Sequence, residues 1–151
     1  MKALEHLVPP PLVALIVGVA MWGVSRPFAP SAIPGRTWLA AALALAGFAV
    51  AFAGFMTFRH AGANIDPHLI DKGDVLVTEG VYRYTRNPMY LGLTLLLLGV
   101  AAQLGRPAAL LGPVVFVAYI TRFQIAAEER AMAMKFGARY AEYVRATRRW
   151  F

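Results

Sequence analysis

A chain of 151 residues leaves room for one domain, and a composition of 59% hydrophobic against 15% charged residues is too apolar for an ordinary soluble fold. The absence of cysteine removes disulfides, thiolate metal sites and cysteine nucleophiles. The formal net charge of +7 does not argue for nucleic acid, because the basic residues lie between and after long apolar stretches rather than along a polar face. Anionic lipid headgroups match that distribution better.

Four uncharged stretches follow in chain order. Leu7 to Ser25 offers 19 residues and Thr37 to Phe58 offers 22. At ~1.5 Å per residue against a hydrocarbon core of roughly 30 Å, the second spans unaided and the first is adequate. The first also has the outline of a signal peptide, with Lys2 as its charged end and Ala29 to Ala32 as a small-residue region. Glu5 offsets Lys2, so a retained helix is the reading taken. Gly47, Ala51 and Gly54 in the second stretch fit close helix packing.

Residues 59–80 show neither helical nor strand periodicity, and carry Asp66-Pro67 and Asp71-Lys72-Gly73-Asp74, so a long polar loop is expected there. It serves either as a linker or as a substrate-contacting segment. Two further apolar stretches, Asn87 to Gly105 and Pro107 to Thr121, are joined by the short link Gly105-Arg106-Pro107, which predicts an antiparallel hairpin. Beyond it, Met132, Phe136, Tyr140 and Val144 recur every four residues among Arg130, Lys135, Arg139 and Arg145, predicting an amphipathic interfacial helix with Gly137 as a candidate break. The end, Arg148-Arg149-Trp150-Phe151, reads as a headgroup anchor.

The expected fold is therefore all-α and polytopic, with four transmembrane helices plus a C-terminal amphipathic interfacial helix. The whole of 1–151 forms one membrane domain: an N-terminal helix pair over 1–58, a loop over 59–80 and a core over 81–151. Placing both termini and the loop in the cytoplasm puts twelve of the 15 basic residues inside and only Arg26, Arg36 and Arg106 outside, as the positive-inside rule asks. All eight acidic residues fall on the inner side as well, which suggests a polar site on that face.

The densest chemistry lies in Gly80-Val81-Tyr82-Arg83-Tyr84-Thr85-Arg86-Asn87-Pro88-Met89-Tyr90-Leu91-Gly92. Pro88 suits the first turn of a helix, where its missing N–H costs nothing, and leaves Asn87 near the N-cap. A capped helix with tyrosines and arginines as interface anchors explains this composition as well as a site does. Tyr82, Tyr84 and Tyr119 read more readily as packing residues. His6, His60 and His68 lack ligand spacing, and no metal is expected.

This segment resembles the isoprenylcysteine carboxyl methyltransferase and phospholipid methyltransferase family of integral membrane enzymes, whose signature reads Arg-His-Pro-x-Tyr-x-Gly followed, after a helical hairpin, by a Glu-Glu pair. Arg86, Pro88, Tyr90 and Gly92 match, Asn87 stands in place of the histidine, and 37 residues separate Tyr90 from Glu128-Glu129. Phe136-Gly137, Tyr140 and Tyr143 are similar to the family's C-terminal pattern. The resemblance covers roughly residues 75–150. It implies S-adenosylmethionine as cofactor, bound by Arg86, Asn87, Pro88, Tyr90, Gly92, Glu128 and Glu129. Arg86, Tyr90 and Arg122 are the candidates for catalysis, Arg122 because it lies seven residues before Glu129 on the same ideal helical face. The acceptor would be a lipophilic or amphiphilic molecule, either an isoprenylcysteine-type carboxylate or a phospholipid amine, with membrane lipids as surroundings and no nucleic acid as partner. Oligomeric state is left open. No Gly-x-Gly-x-x-Gly follows a strand, so the site must be built from helices. A membrane reductase of sterol-type double bonds, using NADPH, and a non-catalytic membrane scaffold are the rival readings.

Overall fold

The computed structural model describes residues 8–62 and 75–151, and among them every regular element is helical. Helix α1 (Pro10–Ser25) starts on prolines that fit its first turn, with the Leu12 and Val13 amides bonded to the Pro9 carbonyl. Helix α2 (Arg36–His60) follows Gly35, whose φ of 72° turns the chain into it. At 25 residues it is about 37 Å long and overspans a ~30 Å core. It also runs past Phe58 to His60, so the expected loop begins only there; residues 63–74 of that loop lie outside the described residues.

A short 3₁₀ turn, Gly80–Arg83, leads to α3 (Pro88–Leu104), which has Pro88 at its first position. Gly105, at φ 62°, ends α3 in the left-handed conformation, and its amide closes on the carbonyls of Ala101 and Ala102. After a 3₁₀ turn at Pro107–Leu110 come α4 (Leu111–Ile120), a π turn at Thr121–Ile125 and α5 (Ala126–Ala146). From Pro107 to Phe136 these elements run on as one helical rod, where the sequence suggested a crossing helix and a separate interfacial one starting near Glu128. No glycine or proline interrupts residues 114–136, so nothing in the sequence stops the helix there. The break comes at Gly137, whose φ of 50° and ψ of −120° are not helical.

Helix α3 is the centre of the bundle. Small residues let α2 lie against it: a Cβ added at Gly47 would sit 2.6 Å from the Gly92 carbonyl oxygen, and one at Gly54 2.9 Å from Pro88 Cγ. On its other side Leu97 and Ala101 meet Val13 and Met21 of α1 and Phe116 and Ile120 of α4 in the buried core. The outer surface is the reverse of a soluble protein's. Leu15, Ile16, Val19, Leu45, Phe48, Val114 and Val115 are all exposed, and Trp38 is 82% exposed. Exposed apolar residues in such number fit a surface covered by lipid. Among the described residues two helical runs, Arg36–His60 and Pro107–Ala146, are long and apolar enough to cross a membrane; α1 and α3, at 16 and 17 residues, are shorter than a full crossing needs.

Candidate functional site

The short turn at Gly105 folds the long rod back along α3, so the start of α3 and the start of α5 become neighbours. Tyr90 Oη donates to Glu128 Oε1 at 2.5 Å, and Arg86 Nη2 donates to Glu129 Oε1 at 2.8 Å. The carboxylate of Glu129 is shared. Arg149 Nε reaches Oε1 at 2.9 Å and Arg149 Nη2 reaches Oε2 at 2.5 Å, forming a two-pronged ion pair. Those hydrogen bonds raise the Arg149 pKa above its ordinary value, so the pair stays charged.

The C-terminal segment is bound to the entry of α3 by its backbone. The Arg86 amide donates to the Arg148 carbonyl at 3.0 Å, Asn87 Nδ2 to the Arg149 carbonyl at 2.9 Å, and Arg86 Nη1 to the Thr147 carbonyl at 2.5 Å. Thr85 Oγ1 donates to the Arg149 carbonyl and accepts from the Asn87 amide, both at 3.2 Å. Asn87 occupies the N-cap position, yet its side chain makes no capping bond; its Nδ2 donates to the tail instead. Tyr143 Oη donates to the Tyr82 carbonyl at 2.7 Å, fixing the 3₁₀ turn on α5. Burial pushes the Tyr82 phenol well above its usual range, and nearby Tyr143 and Glu128 push it the same way.

These residues border a cavity of about 550 Å³, within the range of cofactor and ligand sites. Arg86, Asn87, Tyr90, Glu128 and Glu129 line it together; most of the remaining wall is apolar, with Phe55 and Phe58 of α2, Leu93 of α3, Met132 of α5 and residues 8–11 and 75–77. Arg86 Nε is buried and has no hydrogen-bond partner, although Nη1 and Nη2 are both engaged. It is a buried donor without a protein partner, on a residue of the cavity wall.

Six of the residues singled out in the sequence, Arg86, Asn87, Pro88, Tyr90, Glu128 and Glu129, line this one cavity. Gly92 does not: it faces α2, where an added Cβ would lie 2.5 Å from the Gly47 carbonyl oxygen. Arg122 also lies off the wall, its guanidinium exposed and 5.6 Å from the centre of the Phe123 ring. Seven residues make two turns of an ideal helix, but the π turn over Thr121–Ile125 takes up an extra residue and rotates Arg122 roughly a quarter-turn away from Glu129. Gln124, which the sequence reading passed over, is 4% exposed, lines the cavity and donates from Nε2 to the Val8 carbonyl at 3.0 Å. A lone amide in an apolar run was the available signal. Arg149, read as a lipid anchor, grips Glu129 instead.

Comparison with known proteins matches the family model described as Phospholipid methyltransferase over residues 35–139. The chain belongs to the phospholipid methyltransferase family. An uncharacterised protein of Haemophilus influenzae is 45% identical over 62 residues, which cover 41% of this chain and 98% of that protein. No solved structure matches. The family match takes in α2, α3, α4 and α5 as far as Arg139, so it contains the Arg86 to Tyr90 segment and both glutamates. Membership makes this a member of a methyltransferase family, in agreement with the apolar outer surface. Helix α1, the last turns of α5 with Tyr140 and Tyr143, and the tail with Arg149 lie outside the matched residues.

Proposed function

We propose that this protein transfers a methyl group from S-adenosylmethionine to a lipophilic or amphiphilic acceptor that reaches the cavity from the membrane. The observation that carries the reading is the meeting of Arg86, Tyr90, Glu128 and Glu129 on the wall of one largely apolar cavity. The methyl donor is zwitterionic at its amino-acid end and supplies an electrophilic methyl group on a positively charged sulfur. The residues present fit it. The guanidinium of Arg86, on the cavity wall, has the charge to suit the donor's carboxylate. The glutamates suit its ammonium or ribose hydroxyls, and the aromatic and methionine walls suit its apolar parts.

Sulfonium methyl transfer needs alignment more than covalent help, and alignment is what this chain provides. Tyr90 holds Glu128, Arg86 holds Glu129, and the walls from Phe55, Phe58, Leu93 and Met132 keep water away from the reacting line. The acceptor is either a phospholipid amine or an isoprenylcysteine-type carboxylate, by analogy with the resemblance carried by Arg86, Pro88 and Tyr90. In this reading α1 and α3, packed against the two longer runs, cross a locally thinned bilayer, and the excess of basic residues in the loop and at the C-terminal end favours a cytoplasmic side for the site and both termini.

Calorimetric titration of the detergent-purified protein with S-adenosylhomocysteine, with NADPH titrated in parallel, tests the reading. Binding of the first and not the second, weakened in Arg86→Ala, is expected. Binding of NADPH alone would replace the methyltransferase with a reductase, and binding of neither would leave a scaffold.

A further inference from the structure

We propose that Arg149 is a positioning residue of the donor site, fixing the Glu129 carboxylate at the cavity wall where it receives the cofactor's ammonium or ribose hydroxyls; this rests on the methyltransferase reading. Helix α5 ends at Ala146, and Thr147, with φ −128° and ψ 131°, turns the chain into an extended run. That run lies along the entry to α3, with the carbonyls of Thr147, Arg148 and Arg149 accepting from Arg86 and Asn87. The tail is therefore part of the wall that sets the conformation of Arg86 and Asn87, and the Arg149 side chain is delivered to Glu129 from the outer side. Its side chain is 40% exposed, against 10% for Arg86.

Glu129 has two oxygens and two guanidiniums to serve. Arg149 takes both oxygens in a fork, which leaves Arg86 only one contact, Nη2 to Oε1. Were Arg149 absent, Glu129 would keep only that single contact and its carboxylate would be free to rotate. The cavity wall would then lose a fixed acceptor for the cofactor. The charges agree with this arrangement. Arg86 and Arg149 stand close to Glu128 and Glu129, and charges of both signs suit a zwitterion better than a simple anion.

The test is the affinity for S-adenosylhomocysteine, measured by calorimetry on the full chain in detergent, together with the melting temperature of each unliganded variant. Arg149→Ala is expected to bind about tenfold or more weakly, the worth of one charge-assisted hydrogen bond. Arg149→Lys, a point charge without the fork, is expected to recover only part of that loss. In the Glu129→Gln background, adding Arg149→Ala is expected to change affinity less than about twofold, because the residue it acts through has already been altered. Wild-type affinity in Arg149→Ala, or in Arg149→Lys if the alanine variant does not fold, overturns the proposal. So does the same fold-loss from Arg149→Ala with and without Glu129→Gln, since a tail that merely stabilises the fold would act independently of Glu129. If the wild-type protein itself binds no S-adenosylhomocysteine, the methyltransferase reading falls and takes this one with it.

Discussion

Gly92→Ala separates two roles for a residue that the signature marks and the fold turns away from the cavity. A Cβ at this position would lie 2.5 Å from the Gly47 carbonyl oxygen, 2.6 Å from Ala51 Cβ and 2.8 Å from the Ala51 amide nitrogen. Two of those three atoms are backbone, so no side chain can swing aside; α2 would have to move by nearly 1 Å to restore ordinary contact. Overpacking of this kind costs about 1–3 kcal/mol, and contact with helix backbone favours the upper end. For a chain of this size that is a fall in melting temperature of roughly 5–10 °C. Trp22, Trp38 and Trp150 make the melt visible by intrinsic fluorescence in detergent. Gly23→Ala is the control: it lies in α1 with nothing within 4 Å of an added Cβ, so the same substitution is expected to stabilise by about 0.5–1 kcal/mol. A Gly92→Ala protein with the wild-type melting temperature but no affinity for S-adenosylhomocysteine would refute the packing argument and return Gly92 to the cofactor site.

Arg122→Ala should leave S-adenosylhomocysteine affinity within about twofold of wild type by calorimetry, because Arg122 lies off the cavity wall; a tenfold loss would contradict that placement. Gln124→Leu, similar in volume, removes the bond that ties α4 and α5 to Val8 and leaves a carbonyl without its partner, costing about 1–3 kcal/mol in a thermal melt. Tyr90→Phe keeps the ring and loses the hydrogen bond to Glu128, so binding or turnover should fall by about tenfold with the melting temperature little changed. The chain has no cysteine, so single cysteines at Ser31 and at Tyr84, which is 77% exposed, should react with an impermeant thiol reagent from opposite sides of the membrane. Reaction from one side would reject the proposed topology.

Much of this arrangement could be read from punctuation in the sequence. Proline at the start of α1 and α3, and Gly105-Arg106-Pro107 between α3 and the rod, fix where helices begin and how the hairpin closes. Once the hairpin is short, Arg86 to Tyr90 and Glu128 to Glu129 must meet, and they do. The close approach of Gly47 and Gly54 to α3 follows from their spacing in the same way. The rest depended on phase or on distant pairing. The face that Gly92 presents is decided by the glycines of α2 opposite it, which a motif does not reveal. Arg122 shared a face with Glu129 only on an ideal helix, and the π turn changes that phase without a glycine or proline to announce it. Arg149 finds Glu129 across a chain reversal at Thr147, in an extended run whose basic and aromatic residues look the same as a headgroup anchor.

Membranes carrying the protein, supplied with methyl-labelled S-adenosylmethionine and then extracted with organic solvent, give the most direct measurement of methyl transfer. The account predicts label in the lipid-soluble fraction, formed by the wild-type protein and strongly reduced in Arg86→Ala. Label that remains entirely water-soluble with the wild-type protein, in membranes where it is folded and abundant, would contradict it.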